Sequence, residues 1–258
     1  MKDDRSNPYS YGIAFHFLLG LLNLGVALFY GSQFSLFSGN FLLLLLSSFL
    51  WAITTIFLFK ALQLLEASEV TIVSTLRVVI TIVASVIFLN EVFNIQNILG
   101  AVIIVISTLL VVNLKNGFKL NKGLIYTLLM ALFAGLAIVI DSANVQHYDV
   151  LAYNTITNFL IGLMILAFYP RAIKQWRHFT QLNFLKKMLP LGIFSTAQGI
   201  MYLMALTYVG NTAQIGTIRQ ASVIITVLLA VIFLNEKDNL ARKLLATILV
   251  TIGVFLLS

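Results

Sequence analysis

Nearly the whole chain divides into apolar runs separated by short polar stretches. Nine such runs fall at roughly 11–31, 41–64, 69–90, 96–114, 123–142, 149–169, 188–208, 213–234 and 241–257. At 1.5 Å of rise per residue, about 20 apolar residues in a helix cross a hydrocarbon core roughly 30 Å thick. Each run is therefore predicted to be a membrane-spanning helix. Backbone groups in hydrocarbon must be paired within their own segment, which leaves helices as the reading. A membrane β-barrel would show short strands of alternating polarity instead. The predicted fold class is all-α, a polytopic membrane helix bundle.

The polar stretches between the runs test this count. With strict alternation, one side of the membrane receives Lys2, Arg5, Lys115, Lys119, Lys122, Arg171, Lys174, Arg177, Lys186, Lys187, Lys237, Arg242 and Lys243. The other side receives no Lys or Arg in its loops. A missed or surplus helix would scramble that partition. The basic side, with the loops 115–122, 170–187 and 235–243, is expected to be cytoplasmic in a cell membrane. Composition agrees: hydrophobic residues are 60% of the chain and charged residues 10%, too few charges to cover a soluble domain of 258 residues. The net charge of +7 sits in the loops, so no nucleic-acid partner is expected. The absence of Cys excludes disulfides and thiolate sites.

The chain also resembles itself. Val86-Ile87-Phe88-Leu89-Asn90-Glu91 recurs as Val231-Ile232-Phe233-Leu234-Asn235-Glu236, and Ala61-Leu62 as Ala205-Leu206. Tyr11 with Phe17-Leu18-Leu19-Gly20-Leu21 is echoed by Tyr153 with Phe159-Leu160-Ile161-Gly162-Leu163. These matches keep one order and a nearly constant offset. They divide the chain into a first repeat, 1–114, with four helices, and a second, 115–258, with five. The helix at 123–142 has no counterpart, because Met1 aligns close to where that helix ends. The first helix of the first repeat is therefore expected to be absent, either lost in evolution or, the favoured reading, omitted through a late start or truncated gene model, which an apolar helix encoded in frame upstream of Met1 would show. A five-helix repeat enters and leaves on opposite sides, so its next copy is inverted, a design that recurs in secondary transporters.

Ala61-Leu62, the stretch Glu69 to Glu91 ending in Phe-Leu-Asn-Glu, and Gly100 resemble the EamA-like branch of the drug/metabolite transporter superfamily. Ala205-Leu206 to Glu236, with Gly253, resembles the same pattern. The resemblance covers nearly the whole chain. It implies a carrier of two inverted five-helix repeats around a central cavity, exporting or exchanging a small metabolite, amino acid or drug. The apparent lack of one helix departs from that pattern.

Ionisable and polar residues inside the spans are the candidates for function, because hydrocarbon penalises them. Arg219, followed by Gln220 and Ser222, forms a polar patch suited to clamping a carboxylate or phosphate. Its alternative is a guanidinium snorkelling to the interface or paired structurally. Arg77 either lines a cavity or pairs with Glu69 or Glu66. Glu91 and Glu236 end the repeated helices, where a carboxylate opposes the helix dipole, so a tertiary, conformation-fixing partner is expected. Trp51, Gln198 and Tyr202 are candidates to line an aromatic-polar cavity, against ordinary packing. Lys60 is expected to snorkel, and Asp141 to be solvated at a helix end. His16 is read as a neutral histidine bonded to a neighbouring helix, with proton relay as its alternative.

Three readings compete. The first is a secondary transporter working by alternating access between lipid-embedded repeats, on a small-molecule substrate whose anionic group is the expected contact of Arg219. The second is a non-transporting partner subunit or lipid-flippase component. The third is an intramembrane enzyme, against which stands the lack of any nucleophile–base pair, metal cluster or nucleotide motif in the sequence. No cofactor or metal is expected. Proton coupling and a homodimer are both compatible with the first reading.

Overall fold

The computed structural model describes residues 7–35, 39–89, 94–111, 121–175, 182–209, 222–234 and 239–257. All nine predicted runs carry helix. The elements are α1 (Pro8–Phe29), α2 (Phe41–Leu64), α3 (Ala67–Ser74), α4 (Leu76–Leu89), α5 (Ile95–Val111) and α6 (Lys122–Asn144). They continue with α7 (Val150–Phe168), α8 (Leu182–Val209), α9 (Ser222–Phe233) and α10 (Leu240–Leu257). No strand occurs among the described residues. Among the described residues, six stretches are long and apolar enough to cross a membrane, with α3 and α4 together forming one of them.

Local chemistry sets the ends of these helices. Asn7 caps α1 by accepting from the Tyr9 amide, with Pro8 at the first helical position. Asp149 caps α7 by accepting from the amides of Leu151 and Ala152. The third predicted run is broken at Thr75. There Thr71, Ser74 and Thr75 each turn a hydroxyl back onto a carbonyl of the preceding turn, a pattern that bends helices. Within the stretch read as the loop 170–187, both described ends are helical. Pro170–Gln175 forms a 3-10 turn, and α8 begins at Leu182, placing exposed Lys186 and Lys187 on a helix.

The chain folds into two compact units, 1–59 with 140–210 and 60–139 with 211–258. Each unit draws helices from both halves of the sequence, so the compact units do not coincide with the repeats. In the first unit, Ile13, Ala52, Ile56, Ile161, Ile165 and Ala172 form a buried apolar core. In the second, Ile72, Val78, Ile82, Ile104, Val223, Val227, Ala246, Val250 and Val254 do the same.

Within the first unit, α1 and α7 are the two copies of one repeated segment, related by an offset of 142 residues from Phe17 to Phe159. They pack antiparallel, and their contacts are reciprocal. A Cβ added to Gly20 would come within 2.9 Å of the Phe159 ring, and one added to the equivalent Gly162 within 3.3 Å of the Phe17 ring. Each copy's phenylalanine thus fills the notch left by the other copy's glycine. Asn23 bonds Asn154 at one end of the pair, and Gly12 meets Ile165 at the other. Those two contacts interchange under the same offset. His16 and Asn158 correspond to each other and are hydrogen-bonded at 2.9 Å, so the local two-fold passes between them. With no hydrophobic force between helices in lipid, such close approach over small residues is what holds them.

In the second unit, α5 and α10, the last helices of the two halves, also run antiparallel. A Cβ on Gly253 would meet the Gly100 carbonyl at 2.8 Å, and Ser107 donates to the Ala246 carbonyl at 2.7 Å.

Candidate functional site

The buried polar chemistry of the first unit begins on α2. Ser47, Ser48, Trp51, Thr54 and Thr55 recur at spacings of one, three and four residues, a single helical face. That face meets Asp141 near the end of α6. The Ser47 hydroxyl and the Tyr153 hydroxyl (2.7 Å) donate to Oδ1 of Asp141, and the Trp51 indole donates to Oδ2 at 2.7 Å. Tyr148 packs its ring against Tyr153, 5.3 Å between centroids. Asp141 is 3% exposed. The sequence placed it at a solvated helix end. Helix position alone misjudges its depth, because Ser47, Trp51 and Tyr153 close over it and replace water with three donors. A buried carboxylate needs such donors to offset its lost hydration.

A second polar constellation crosses the α1–α7 contact. The Asn23 amide donates to the Leu19 carbonyl, and Asn154 donates to Asn23 Oδ1, both at 2.8 Å. Asn158 donates to the Asn154 carbonyl (2.8 Å) and to its Oδ1 (3.0 Å). His16 then bonds Asn158 Oδ1 through Nδ1 and Thr55 Oγ1 through Nε2, both at 2.9 Å. The ladder joins α1, α2 and α7 and, from His16 to Asn23, covers about 10 Å along α1. Gly199 on α8 leaves room for it: a Cβ there would lie 3.2 Å from the Asn154 amide. His16 is thus bonded to two neighbouring helices.

The second unit holds a buried ion pair. Lys243, counted with the basic loop residues by sequence, lies in the first turn of α10 at 2% exposure and donates to Glu66 Oε2. Glu66, at the cap position of α3, is thereby joined to Lys243. Glu69 follows in the first turn of α3, where a carboxylate favours the helix dipole. Lys60 places Nζ 5.3 Å from the centre of the Tyr126 ring, a cation–π contact.

The sequence-predicted site residues divide between the two units. Trp51, Gln198 and Tyr202 belong to the first: Trp51 is bound to Asp141, while exposed Gln198 and half-buried Tyr202 lie one turn apart on α8. Arg77, Glu69 and Ser222 belong to the second. Arg77 is half-buried on α4, and Ser222 opens α9 with its carbonyl accepting from Thr226. Arg219, Gln220, Glu91 and Glu236 lie outside the described residues. Sequence reasoning passed over Ser47, Thr55, Asn23, Asn154 and Asn158. The signal was present in the helical spacing of the α2 hydroxyls and in the one-turn spacing of Asn154 and Asn158.

Comparison with known proteins agrees with this architecture. The model of the EamA-like transporter family matches residues 6–113 and again 121–258. A solved structure described as "Crystal structure of protein" superposes with a TM-score of 0.72 at 14% identity, covering 100% of this chain and 90% of that one. At that identity the likeness concerns the fold alone. No curated protein matches the chain. With a family match over nearly its full length and a multi-pass, all-helical fold, the chain belongs to the EamA-like transporter family.

Proposed function

We propose that the chain is a secondary carrier that moves a small metabolite or drug-like solute across the cell membrane by alternating access. The observation that carries this reading is the reciprocal, antiparallel packing of α1 on α7. Repeat-equivalent residues meet across a local two-fold, Phe17 on Gly162 and Phe159 on Gly20. Inverted copies of one sequence can exchange conformations, which supplies two states facing opposite sides at low energetic cost. In this reading the repeats are 1–114 and 115–258, and the basic loops face the cytoplasm.

Arg219, with Gln220 and Ser222, is the proposed contact to an anionic group of the solute, a role its bidentate geometry suits. Arg77, Trp51, Gln198 and Tyr202 are the further proposed contacts. Glu69, Glu91 and Glu236 are assigned to holding conformations. The test is solute flux in sealed proteoliposomes loaded with a panel of amino acids, organic anions and amphiphilic drugs. Flux of at least one class is expected. Arg219→Ala is expected to lower that flux at least about 100-fold, as when a buried charged contact worth about 3 kcal/mol is lost, with membrane insertion unchanged. Unaltered kinetics in that variant would remove Arg219 from the mechanism, and no flux of any class would contradict the carrier reading.

A further inference from the structure

The buried ladder of the first unit has a direction, fixed at two points by backbone carbonyls that only accept. The Leu19 carbonyl takes the Asn23 amide N–H, and the Asn154 carbonyl takes that of Asn158. Asn158 therefore turns its Oδ1 toward His16. An amide oxygen cannot donate, so His16 Nδ1 carries a proton. Its other nitrogen, Nε2, is then the bare acceptor of the ring, taking the Thr55 hydroxyl proton. The tautomer follows from the network and not from the ring's placement alone.

Thr55 departs from the commonest threonine pattern of the described helices, as does Thr81, which donates to the Gly135 carbonyl. Thr71, Thr108, Thr127, Thr155, Thr157 and Thr247 donate to the carbonyl four residues earlier in their own helices. The Thr55 hydroxyl instead leaves its helix for His16. Four residues before it stands Trp51, the residue whose indole holds Asp141.

We propose that His16 Nε2 is the atom that takes up the coupling proton of the carrier, with the Thr55 hydroxyl changing from donor to acceptor as it does so. The inference rests on the carrier reading for the word coupling, and on the ladder alone for the atom. In the step, the Nε2 lone pair forms an N–H bond to a proton delivered by hydronium, whose O–H bond breaks to leave water. The new N–H donates to Thr55 Oγ1, and the Thr55 hydroxyl proton turns to the Trp51 carbonyl, the same four-residue back-bond that those six threonines make. The charge remains on the imidazolium, stabilised by Asn158 Oδ1. Proton loading on α1 thus reaches the turn of α2 that holds Asp141. The ring's own contacts are neutral. The titratable groups on the helices of this unit around it are Tyr9 and Tyr11 on α1, Asp141 on α6, Tyr153 on α7, and Tyr202 and Tyr208 on α8. Arg171, Lys174, Lys186 and Lys187, in the 3-10 turn and at the start of α8, are exposed, and the part of α2 in this unit carries no titratable side chain.

The test is 15N NMR of the full chain in lipid nanodiscs, labelled at histidine and at the tryptophan indole, with a His147→Gln/His178→Gln background and Trp176→Phe to isolate the signals. Protonated Nδ1 with bare Nε2 is expected at about pH 8, above the ordinary histidine range, and Nε2 is expected to gain its proton as the pH is lowered from there. The Trp51 indole signal is expected to shift with the same midpoint, and to stay flat in His16→Gln. An Nε2–H tautomer at the start, or a bare Nε2 throughout, overturns the proposal. A Trp51 shift that survives in His16→Gln assigns the proton to Asp141 and overturns it equally. A chain that titrates this way while moving no solute ends the carrier reading and leaves the atom assignment standing.

Discussion

Asp141 gathers donors from α2 and α7 onto α6, so its removal is expected to loosen three helices together. In Asp141→Ala, the Ser47 hydroxyl, the Trp51 indole and the Tyr153 hydroxyl all lose their acceptor in a site 3% exposed. Each buried donor left unpaired costs about 1–3 kcal/mol in soluble proteins, while side-chain hydrogen bonds between membrane helices average about 0.6 kcal/mol. Taking about 1 kcal/mol per donor, the loss is about 3 kcal/mol. At about 2–4 °C per kcal/mol, the melting midpoint in detergent falls by about 6–12 °C. Trp51→Phe removes one donor and leaves Asp141 bound to the other two, so it costs about 1 kcal/mol. In the Asp141→Ala background, where that indole is already an unpaired donor, the same change removes that penalty and recovers about 1 kcal/mol, giving a coupling energy of about 2 kcal/mol. Thermal unfolding of the four proteins, followed by near-ultraviolet circular dichroism, supplies the cycle. Equal midpoints for Asp141→Ala and Trp51→Phe, or strict additivity, would refute the hub.

Three further single substitutions and one double probe the second unit and the helix contacts. Gly253→Ala drives a methyl onto the Gly100 carbonyl, backbone that cannot rotate away, and is expected to cost about 1–3 kcal/mol. Gly25→Ala, with nothing within 4 Å, is expected to be neutral or to stabilise by up to about 1 kcal/mol in the same melts. Lys243→Met leaves Glu66 without its buried cation and is expected to cost about 2–4 kcal/mol, below the range for fully buried pairs because Glu66 is 23% exposed. Adding Glu66→Gln is expected to recover most of that loss. A double variant as unstable as Lys243→Met would show that packing, not charge, governs the position.

The helices were legible because hydrocarbon demands long apolar runs, and nothing in tertiary structure overrides that demand. The repeat was legible for a related reason. Phe17 and Gly20 must fit Phe159 and Gly162 reciprocally, so both copies keep the same residues at the same spacing. The polar ladder escaped because single Asn, Ser and Thr residues barely interrupt an apolar run and can satisfy themselves within a helix. Their significance lies in partners 39 to 142 residues away, as with Thr55 and Asn158 around His16. Asp141 was misplaced because distance from a helix end measures depth only where no neighbour closes over it. Lys243 was misread as a loop charge for the same reason, with Glu66 as the unseen partner.

The antiparallel meeting of equivalent helices is open to a direct measurement, since the chain contains no cysteine of its own. Cysteine pairs at Gly12 with Ile165 and at Asn23 with Asn154 are expected to cross-link rapidly under oxidation in native membranes. Pairs at Gly12 with Asn154 and at Asn23 with Ile165 lie 11 positions out of register, about 16 Å along the helices, and are expected to stay reduced. Cross-linking of the second set in place of the first would mean that α1 and α7 run parallel, and the inverted architecture would fall with it.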